Sequence, residues 1–474
     1  MMGQKNYISV VGKGRRFLAR SLRWAARRVA SEEMPSPADS RLDAAAASWN
    51  PPKMPDWVVE ELVAASMIEP DLLPHDDAVD KFQFYSVPQN PAPGIVYSQA
   101  LEQLSSNAYT HVLVIPWLKP GGADRGILFH VNAILEHDAD AKVLMIATEP
   151  SESQWKYRVP TSVDYLELGL LSANLELPHQ VVVLTRLLIQ LQPRTIHIVN
   201  SKVGWMAVRS HGLALGQSAH LFGSLFCDDY NVNMKPVGYA RDFLRDTYRY
   251  FDRIFCDNTA YPRIWSNDLG VPQDVFSVLP FPYDGEVSES RIQKADANRV
   301  LWAGRLDRQK RLDVLLEIAR LRPELHFDVY GAPVMGESMA VLISELGKMP
   351  NVELHGTFER LEDVVTEQHF AFLMTTSWEG TPTILLDVAA LRLPIVAPAV
   401  GGIPDIVNAR HLVSNPDDAG EFSEKLVRLK SDAVEAASLI DEQVETIQTD
   451  RAWTRFIKRL EEKGTYFTGA GSDG

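Results

Sequence analysis

Four side chains in the C-terminal half of the sequence have the types and spacing for chemistry on a phosphorylated, hydroxyl-rich molecule. In TTSWEGTPTILLDVAALRLPIVAP (375–398), Glu379 stands beside Gly380 on a Gly-Thr-Pro turn, and Asp387 follows eight residues later inside an apolar run. Thr381 has the type of a helix N-cap, which places Pro382 at the first helical position, where a missing N–H and a fixed φ are favoured. The helix TILLDVAAL expected there presents the amides of Thr383 and Ile384 to an anion such as phosphate. Asp387 then lies about one and a half turns along the helix, so both acids can face one bound molecule. Carboxylates beside an anion site repel the anion unless they take hydroxyls instead. The pattern therefore points to a polyhydroxylated ligand with a phosphate in its middle. Its complement is AGRLDRQKR (303–311), a strand ending at Gly304 and a loop carrying Arg305 and Lys310. Those cations can neutralise a diphosphate leaving group as charge develops on it, without a metal; a solvated basic loop is the alternative.

Such side chains need a scaffold that brings two loops to one place. HVLVIPW (111–117), KVLMIAT (142–148), TIHIVN (195–200), SAHLFGSLFC (218–227) and RIFCDN (253–258) read as strands, with helical patterns such as GGADRGILFHVNAILEH and HQVVVLTRLLIQL between them. A second series runs through RVLWAGRL (299–306), HFDVYGAP (326–333), NVELHGTF (351–358), FAFLMTT (370–376), LPIVAP (393–398) and HLVSN (411–415). Short buried strands separated by helices imply a parallel sheet covered on both faces. The stretch LPFPYDGEVSESRIQKADAN (279–298) is the expected hinge. The fold class is α/β: two Rossmann-like, doubly wound parallel-sheet domains facing a cleft, with an N-terminal helical extension. Sheets of this kind bind ligands at the carboxyl ends of their strands.

At 474 residues the chain is too long for one ordinary core. A net charge of −15 argues against nucleic acid as the main partner. Two cysteines cannot form a disulfide framework and suit a reducing compartment, and no His/Cys cluster has zinc spacing. No apolar run reaches the roughly 18 residues of a membrane-spanning helix. Residues 1–31 nevertheless hold eight basic side chains and no acid. On a helical wheel Leu18, Leu22, Ala25 and Val29 form an apolar stripe, with Arg16, Arg20, Arg23 and Arg27 on another face. Residues 14–30 are thus expected to lie on an anionic membrane surface. Docking on an acidic protein surface and a cleaved targeting peptide are the alternatives. YISVVGKG lacks the third glycine of a dinucleotide fingerprint. Asp138 and Asp140 in EHDADAK form a DxD between a helix and a strand at the wrong sheet end, which reads as a solvated turn.

Together, GRLDRQKRLDVLL, TSWEGTPTILLD, LPIVAPAVGGIPDIV, KPGGADRGILFHVNAIL and YFDRIFCDN resemble the retaining nucleotide-sugar glycosyltransferases of family 4, which have the GT-B fold; the resemblance spans about residues 105–465. It implies that Arg305 and Lys310 bind the donor diphosphate and that Glu379 contacts donor sugar hydroxyls. Gly380, Thr381, Pro382, Thr383 and Ile384 would cradle sugar and phosphate, Asp387 would bind ribose, and Gly121 and Gly122 would form a loop closing near the diphosphate and acceptor. It further implies no metal, no cofactor beyond the nucleotide-sugar substrate, and retention of the anomeric configuration without a covalent protein intermediate. This sequence departs from the family at Asp387, usually Glu; at Arg392, usually Gly; and at Cys227–Asp228, where a His-Asp or similar pair is common. His130 and His197 are the other candidates, with Asp228, for the acceptor side, and a structural place beside helix or strand is their alternative.

The expected organisation is a basic helix (1–31), a Pro-rich linker with a short helix (32–104), an acceptor domain (105–283), a donor domain (284–450), a terminal helix (451–466) and a tail (467–474). The expected function is sugar transfer from a nucleotide-diphosphate sugar to a glycan or lipid-linked acceptor in surface polysaccharide biosynthesis. The expected location is cytoplasmic, peripheral at the inner face of the membrane. A catalytically degenerate scaffold or glycan-binding protein is the competing reading. Phosphorylases need a lysine anchoring pyridoxal phosphate, for which no motif is seen.

Overall fold

The computed structural model describes residues 54, 56–74, 90–333 and 339–468. The basic segment 1–31 and its expected amphipathic helix lie outside the described residues. The chain divides into two compact units, Met1–Asn90 and Pro91–Gly474. In the first, the expected short helix forms over Asp56–Ser66 and a 3-10 turn follows over Pro70–Leu72; neither buries a residue.

The second unit contains two parallel sheets. Strands β1 (His111–Ile115), β2 (Val143–Ala147), β3 (Asp164–Leu166), β4 (Thr195–Val199) and β5 (His220–Ser224) come first. A short antiparallel ribbon follows, β6 (Asp229–Tyr230) with β7 (Pro236–Val237), and then β8 (Arg253–Cys256) and β9 (Phe276–Val278). The second series is β10 (Arg299–Ala303), β11 (His326–Tyr330), β12 (Val352–Gly356), β13 (His369–Leu373) and β14 (Ile395–Val396). The first sheet has the order β3-β2-β1-β4-β5-β8-β9 and the second β12-β11-β10-β13-β14. Every residue of β1, β2, β4 and β13 is buried, as strands covered by helices on both faces require. This explains why they read as continuous apolar runs and not as alternating ones.

Strand order reverses between β1 and β4 in the first sheet and between β10 and β13 in the second. These are the two places where the connections after neighbouring strands leave to opposite faces and open a crevice. His111 of β1 lies in register with both Val143 of β2 and Thr195 of β4, so the carboxyl ends of the central strands are level.

The chain ends by returning to the first sheet. The helices Trp453–Glu461 and Thr465–Thr468 carry Phe456, Leu460, Tyr466 and Phe467 into the core containing Leu113, Ile115 and Phe222. The Tyr466 carbonyl accepts from Thr195 Oγ1 at 3.2 Å and lies 2.9 Å from His111 Nε2. Phe467 is therefore packed core, where the sequence suggested the start of a tail. HLVSN contributes a single bridge, Pro398 to Val413, instead of a strand. Strands β3 and β9 are only three residues each, too short to leave a periodic signal. Asp138 Oδ1 accepts from Asp140 N at 3.0 Å, which makes the DxD a local turn ahead of β2. Among the described residues no helix is long and apolar enough to cross a membrane.

Candidate active site

Both switch points open onto one cleft. Gly121 and Gly122 follow β1, and Asn200 follows β4 directly; Gly304 and Arg305 follow β10, and Thr375–Gly380 follow β13. A central chamber of ≈ 560 Å³ is walled by Gly121, Gly122, Gly304, Arg305, Lys310 and the whole run from Glu379 to Ile384. On one side it shares Gly121, Gly122, Thr383 and Ile384 with a chamber of ≈ 530 Å³ that reaches Arg125 and Asp387. On the other it shares Asp124, Asn200, Cys227, Arg305 and Gln309 with a chamber of ≈ 700 Å³ lined by Trp117, Tyr239 and Trp378. The residues singled out in the sequence for binding a nucleotide sugar thus fall along one elongated cleft, with Glu379 in the middle and Asp387 at one end.

Glu379 and Lys310 are joined by an ion pair with side chains 10% and 12% exposed, and Thr376 Oγ1 donates to the same carboxylate oxygen at 2.9 Å. The loops after β10 and β13 are laced together to hold this pair. Thr375 Oγ1 donates to the Lys310 carbonyl at 2.8 Å and accepts from Trp302 Nε1 at 2.9 Å, while Gln309 Nε2 donates to the Trp378 carbonyl at 2.6 Å. Behind the turn sits the Gly401–Gly402 pair. Gly401 has φ +53°, and a Cβ there would lie 1.7 Å from the Glu379 carbonyl oxygen; Gly402 N donates to the Gly380 carbonyl at 2.9 Å. Only a residue without a side chain lets this loop press on the Glu379 turn. Arg305 is more open, its side chain 61% exposed, steered by Gln309 Oε1 at 2.7 Å and Asp307 at 3.2 Å.

The helix after this turn begins later than the sequence suggests. It spans Ile384–Ala390, and Thr381 does not cap it. Thr381 is instead bonded to the first sheet: its N–H donates to Asp257 Oδ2 at 2.7 Å and its hydroxyl to the Asp257 carbonyl at 2.8 Å. Burial raises the Asp257 carboxyl to about 6 against the opposing pull of that Thr381 amide. The amides of Thr383 and Ile384, which line the cleft, have no acceptor among the described residues. Asp387 faces Arg125 across the cleft, with Arg125 Nη1 3.3 and 3.4 Å from its two oxygens, and Arg125 also pairs with Asp284, in the segment between the two sheets. Burial raises the Asp387 carboxyl above its ordinary range, and Arg125 holds it partly back. Arg392, just past the helix, does adopt the left-handed region (φ 55°), stabilised by donation from Nε to the Ser288 carbonyl at 2.6 Å.

Three candidate residues are not free to meet an acceptor. His130 and His197 face away from the cleft into the core, 3% and 1% exposed. Tyr466 of the returning C-terminal helix inserts its hydroxyl between them, 2.9 Å from His130 Nδ1 and 3.1 Å from His197 Nδ1. Burial drives both imidazoles towards the neutral form, His130 down to about 3. Their cause is structural: each is the polar lining of a socket for Tyr466. Asp228 does line the ≈ 700 Å³ chamber, but its carboxylate is fully enclosed. Oδ1 accepts from Trp265 Nε1 at 2.8 Å and Oδ2 from Arg241 at 2.6 and 3.0 Å, so it braces the wall. Cys227, beside it, has a thiol raised by burial and nearby carboxylates. Conversely, Arg125 and Asp257 escaped the sequence reading. Asp257 carried a signal, an acid directly after the buried strand RIFC; Arg125 carried little beyond its place three residues after the glycine pair.

Residues 297–432 match the family described as Glycosyl transferases group 1. An uncharacterized 41.2 kDa protein from the cps region of Klebsiella pneumoniae is 23% identical over 204 residues, 39% of this chain and 56% of that protein. TuaC of Bacillus subtilis (strain 168), named as a candidate glycosyltransferase of teichuronic acid biosynthesis, is 28% identical over 78 residues, 16% of this chain and 20% of its own length. The chain thus spans about half the length of one curated relative and a fifth of the other. Among solved structures, the lipopolysaccharide outer core galactosyltransferase WaaB superposes with a TM-score of 0.57 at 15% identity, covering 74% of this chain and 98% of WaaB. Anabaena Alr3699/HepE, solved in complex with UDP, superposes with a TM-score of 0.57 at 16% identity over the same shares of the two chains. The fold is therefore GT-B, and the match to glycosyl transferases group 1 covers residues 297–432, within the part of the chain that builds the second sheet.

Proposed function

We propose that this chain transfers a sugar from a nucleotide-diphosphate sugar to a glycan or glycolipid acceptor in the assembly of a surface polysaccharide. The observation that carries the reading is the order of groups along the cleft: Asp387, then the unpaired Thr383 and Ile384 amides, then Lys310 with Glu379, then Arg305. The Asp387 carboxylate matches ribose, the amides with Lys310 and Arg305 match diphosphate, and Glu379, set between those two cations, matches the sugar. UDP, the ligand of the Anabaena neighbour, is the first nucleotide to try.

Chemistry then follows from what each group can do. Leaving of the diphosphate places negative charge beside Lys310, Arg305 and the two amides, fixed donors already in place when the charge appears. This supports a reaction that needs no metal. Glu379, already held by Lys310 and Thr376, is suited to accept hydrogen bonds from donor hydroxyls and fix the sugar's orientation. Arg305 and Gln309 wall both the central and the ≈ 700 Å³ chamber, so an acceptor entering there approaches from the side of the leaving phosphate. Approach on that face supports retention of the anomeric configuration. The arginine-rich segment 14–30 supports docking on anionic membrane beside a lipid-linked acceptor, at the cytoplasmic face.

The test is calorimetric titration of UDP, GDP and ADP, followed by turnover of the matching nucleotide sugars with and without EDTA and NMR of the product's anomeric proton. Binding of one nucleotide and EDTA-resistant turnover with retained configuration are expected. Failure of every nucleotide to bind refutes the enzyme; turnover abolished by EDTA refutes the metal-free step, and inversion refutes same-face attack. Flotation with anionic liposomes, lost on deletion of residues 1–31, is the expected behaviour of the basic segment.

A further inference from the structure

The ≈ 700 Å³ chamber was left without a reading once Asp228 proved to be occupied and both histidines proved to be core. Two other side chains on its wall keep unused hydrogen-bonding capacity. Asn200 is the first residue after β4, at the switch point of the first sheet, and it holds φ 50°, a left-handed conformation that asparagine tolerates better than most residues with a side chain. Its side chain has no hydrogen bond among the described residues. Asp124 stands opposite the same switch point, in the first turn of the helix Gly122–His137 that follows β1. Its Oδ1 accepts from Lys119 N at 2.9 Å, while Oδ2 has no hydrogen bond to another described residue and lies toward Gly121, 3.4 Å from where a Cβ would stand. Both residues line the wall shared by the ≈ 700 and ≈ 560 Å³ chambers, where an acceptor hydroxyl would have to meet the donor sugar.

Backbone strain at a strand end, an idle amide and an idle carboxylate oxygen at one junction are hard to account for by packing. A left-handed, non-glycine residue costs of order 1 kcal/mol and persists where its surroundings or its task require it. An amide can donate to one oxygen and accept from another, and a carboxylate oxygen accepts from a hydroxyl, so the pair suits adjacent hydroxyls of one sugar ring. Trp117 and Tyr239 on the same chamber wall offer apolar faces for that ring. We infer that Asp124 and Asn200 form the subsite for the hydroxyl-bearing acceptor, with Asp124 Oδ2 accepting from one acceptor hydroxyl and the Asn200 amide orienting its neighbour. The inference rests on the glycosyl-transfer reading above. The burial that raises the Asp124 carboxyl to about 6 adds a dependence on pH: the carboxylate, the better acceptor, is lost as pH falls through that value.

The experiment compares the full chain with Asp124→Asn and with Asn200→Gly, the latter chosen because glycine keeps the left-handed backbone while removing the amide. UDP affinity is measured by calorimetry. Transfer from UDP-glucose and UDP-galactose to n-octyl β-D-glucopyranoside, β-D-galactopyranoside and N-acetyl-β-D-glucosaminide is measured as a function of glycoside concentration. The expected result is a rise of tenfold or more in the KM for glycoside in each variant, with UDP affinity within twofold of the parent. An unchanged glycoside KM overturns the inference, as does a loss of UDP affinity equal to the rise in KM, which would place the pair on the donor. A parent chain that binds UDP yet saturates with none of these glycosides also overturns it. A parent that binds no nucleotide instead fails the functional reading on which the subsite depends.

Discussion

Consider the pair Lys310–Glu379, whose side chains are 12% and 10% exposed. Replacing Lys310 with Met leaves a buried carboxylate whose remaining partner is the Thr376 hydroxyl at 2.9 Å. Breaking a buried ion pair from one side costs about 3–5 kcal/mol. The retained bond to a charged group, worth about 1.5–3 kcal/mol, puts the loss at the low end, about 3 kcal/mol. Glu379→Gln should cost less, about 2 kcal/mol, because the amide oxygen still accepts from Thr376 and from the ammonium. The double variant Lys310→Met/Glu379→Gln removes both charges together and should lie only about 1–2 kcal/mol below the parent, a coupling of about 3–4 kcal/mol. Urea unfolding followed by tryptophan fluorescence gives the four stabilities, and nucleotide-sugar turnover is measured on the same four proteins. Stability should recover in the double variant while turnover stays at least a hundredfold down, since both proposed contacts to the donor are gone. A coupling below about 0.5 kcal/mol would mean that the pair behaves as a screened surface contact. Recovery of turnover in the double variant would show that neither charge handles diphosphate or sugar.

Four further outcomes follow from the same geometry. Gly401→Ala should lower stability by about 2 kcal/mol or more and abolish turnover, because its Cβ meets the Glu379 carbonyl at 1.7 Å. Gly270→Ala, at φ +69° with nothing within 4 Å, should cost only about 1 kcal/mol and leave turnover intact. Because burial raises the Asp387 carboxyl, nucleotide affinity should weaken as pH falls through that raised value, at a higher pH than for an ordinary aspartate. Calorimetry of Asp387→Asn should show weaker binding from which this component of the pH dependence is missing, and an unchanged profile would contradict the ribose contact. Arg392→Gly should be more stable than Arg392→Ala by about 1 kcal/mol in urea, since both lose the bond to Ser288 while only alanine retains the strain at φ 55°.

Much of the second-sheet half of the candidate site was legible because its polar residues lie in short contiguous stretches. Glu379 through Asp387 lie within one loop and one helix, and Gly304 through Lys310 in another loop, so residue type and spacing carry the information locally. What neighbours do across the cleft is invisible to such a reading. Thr381 looks like an N-cap in the sequence, yet Asp257, 124 residues earlier, takes both its amide and its hydroxyl. The helix therefore starts at Ile384. Arg125 is likewise 262 residues from the Asp387 it faces. His130 and His197 looked available because nothing near them in sequence occupies them; Tyr466, 336 and 269 residues away, does.

By itself the sequence determined the alternation of buried strands and helices, and the two loops of the second sheet that carry acid and base. Hydrophobic burial on both faces and the demands of tight turns act over a few residues, and they leave their mark in composition and spacing. Tertiary structure alone decided which polar groups are already consumed and which remain idle. It bound Asp228 to Arg241 and Trp265, closed the two histidines around a returning tyrosine, and left hydrogen-bonding capacity on Asp124 and Asn200 at the junction of two chambers. Hydrogen-bond capacity is finite, and which partner claims it depends on distances between residues that the chain order keeps far apart.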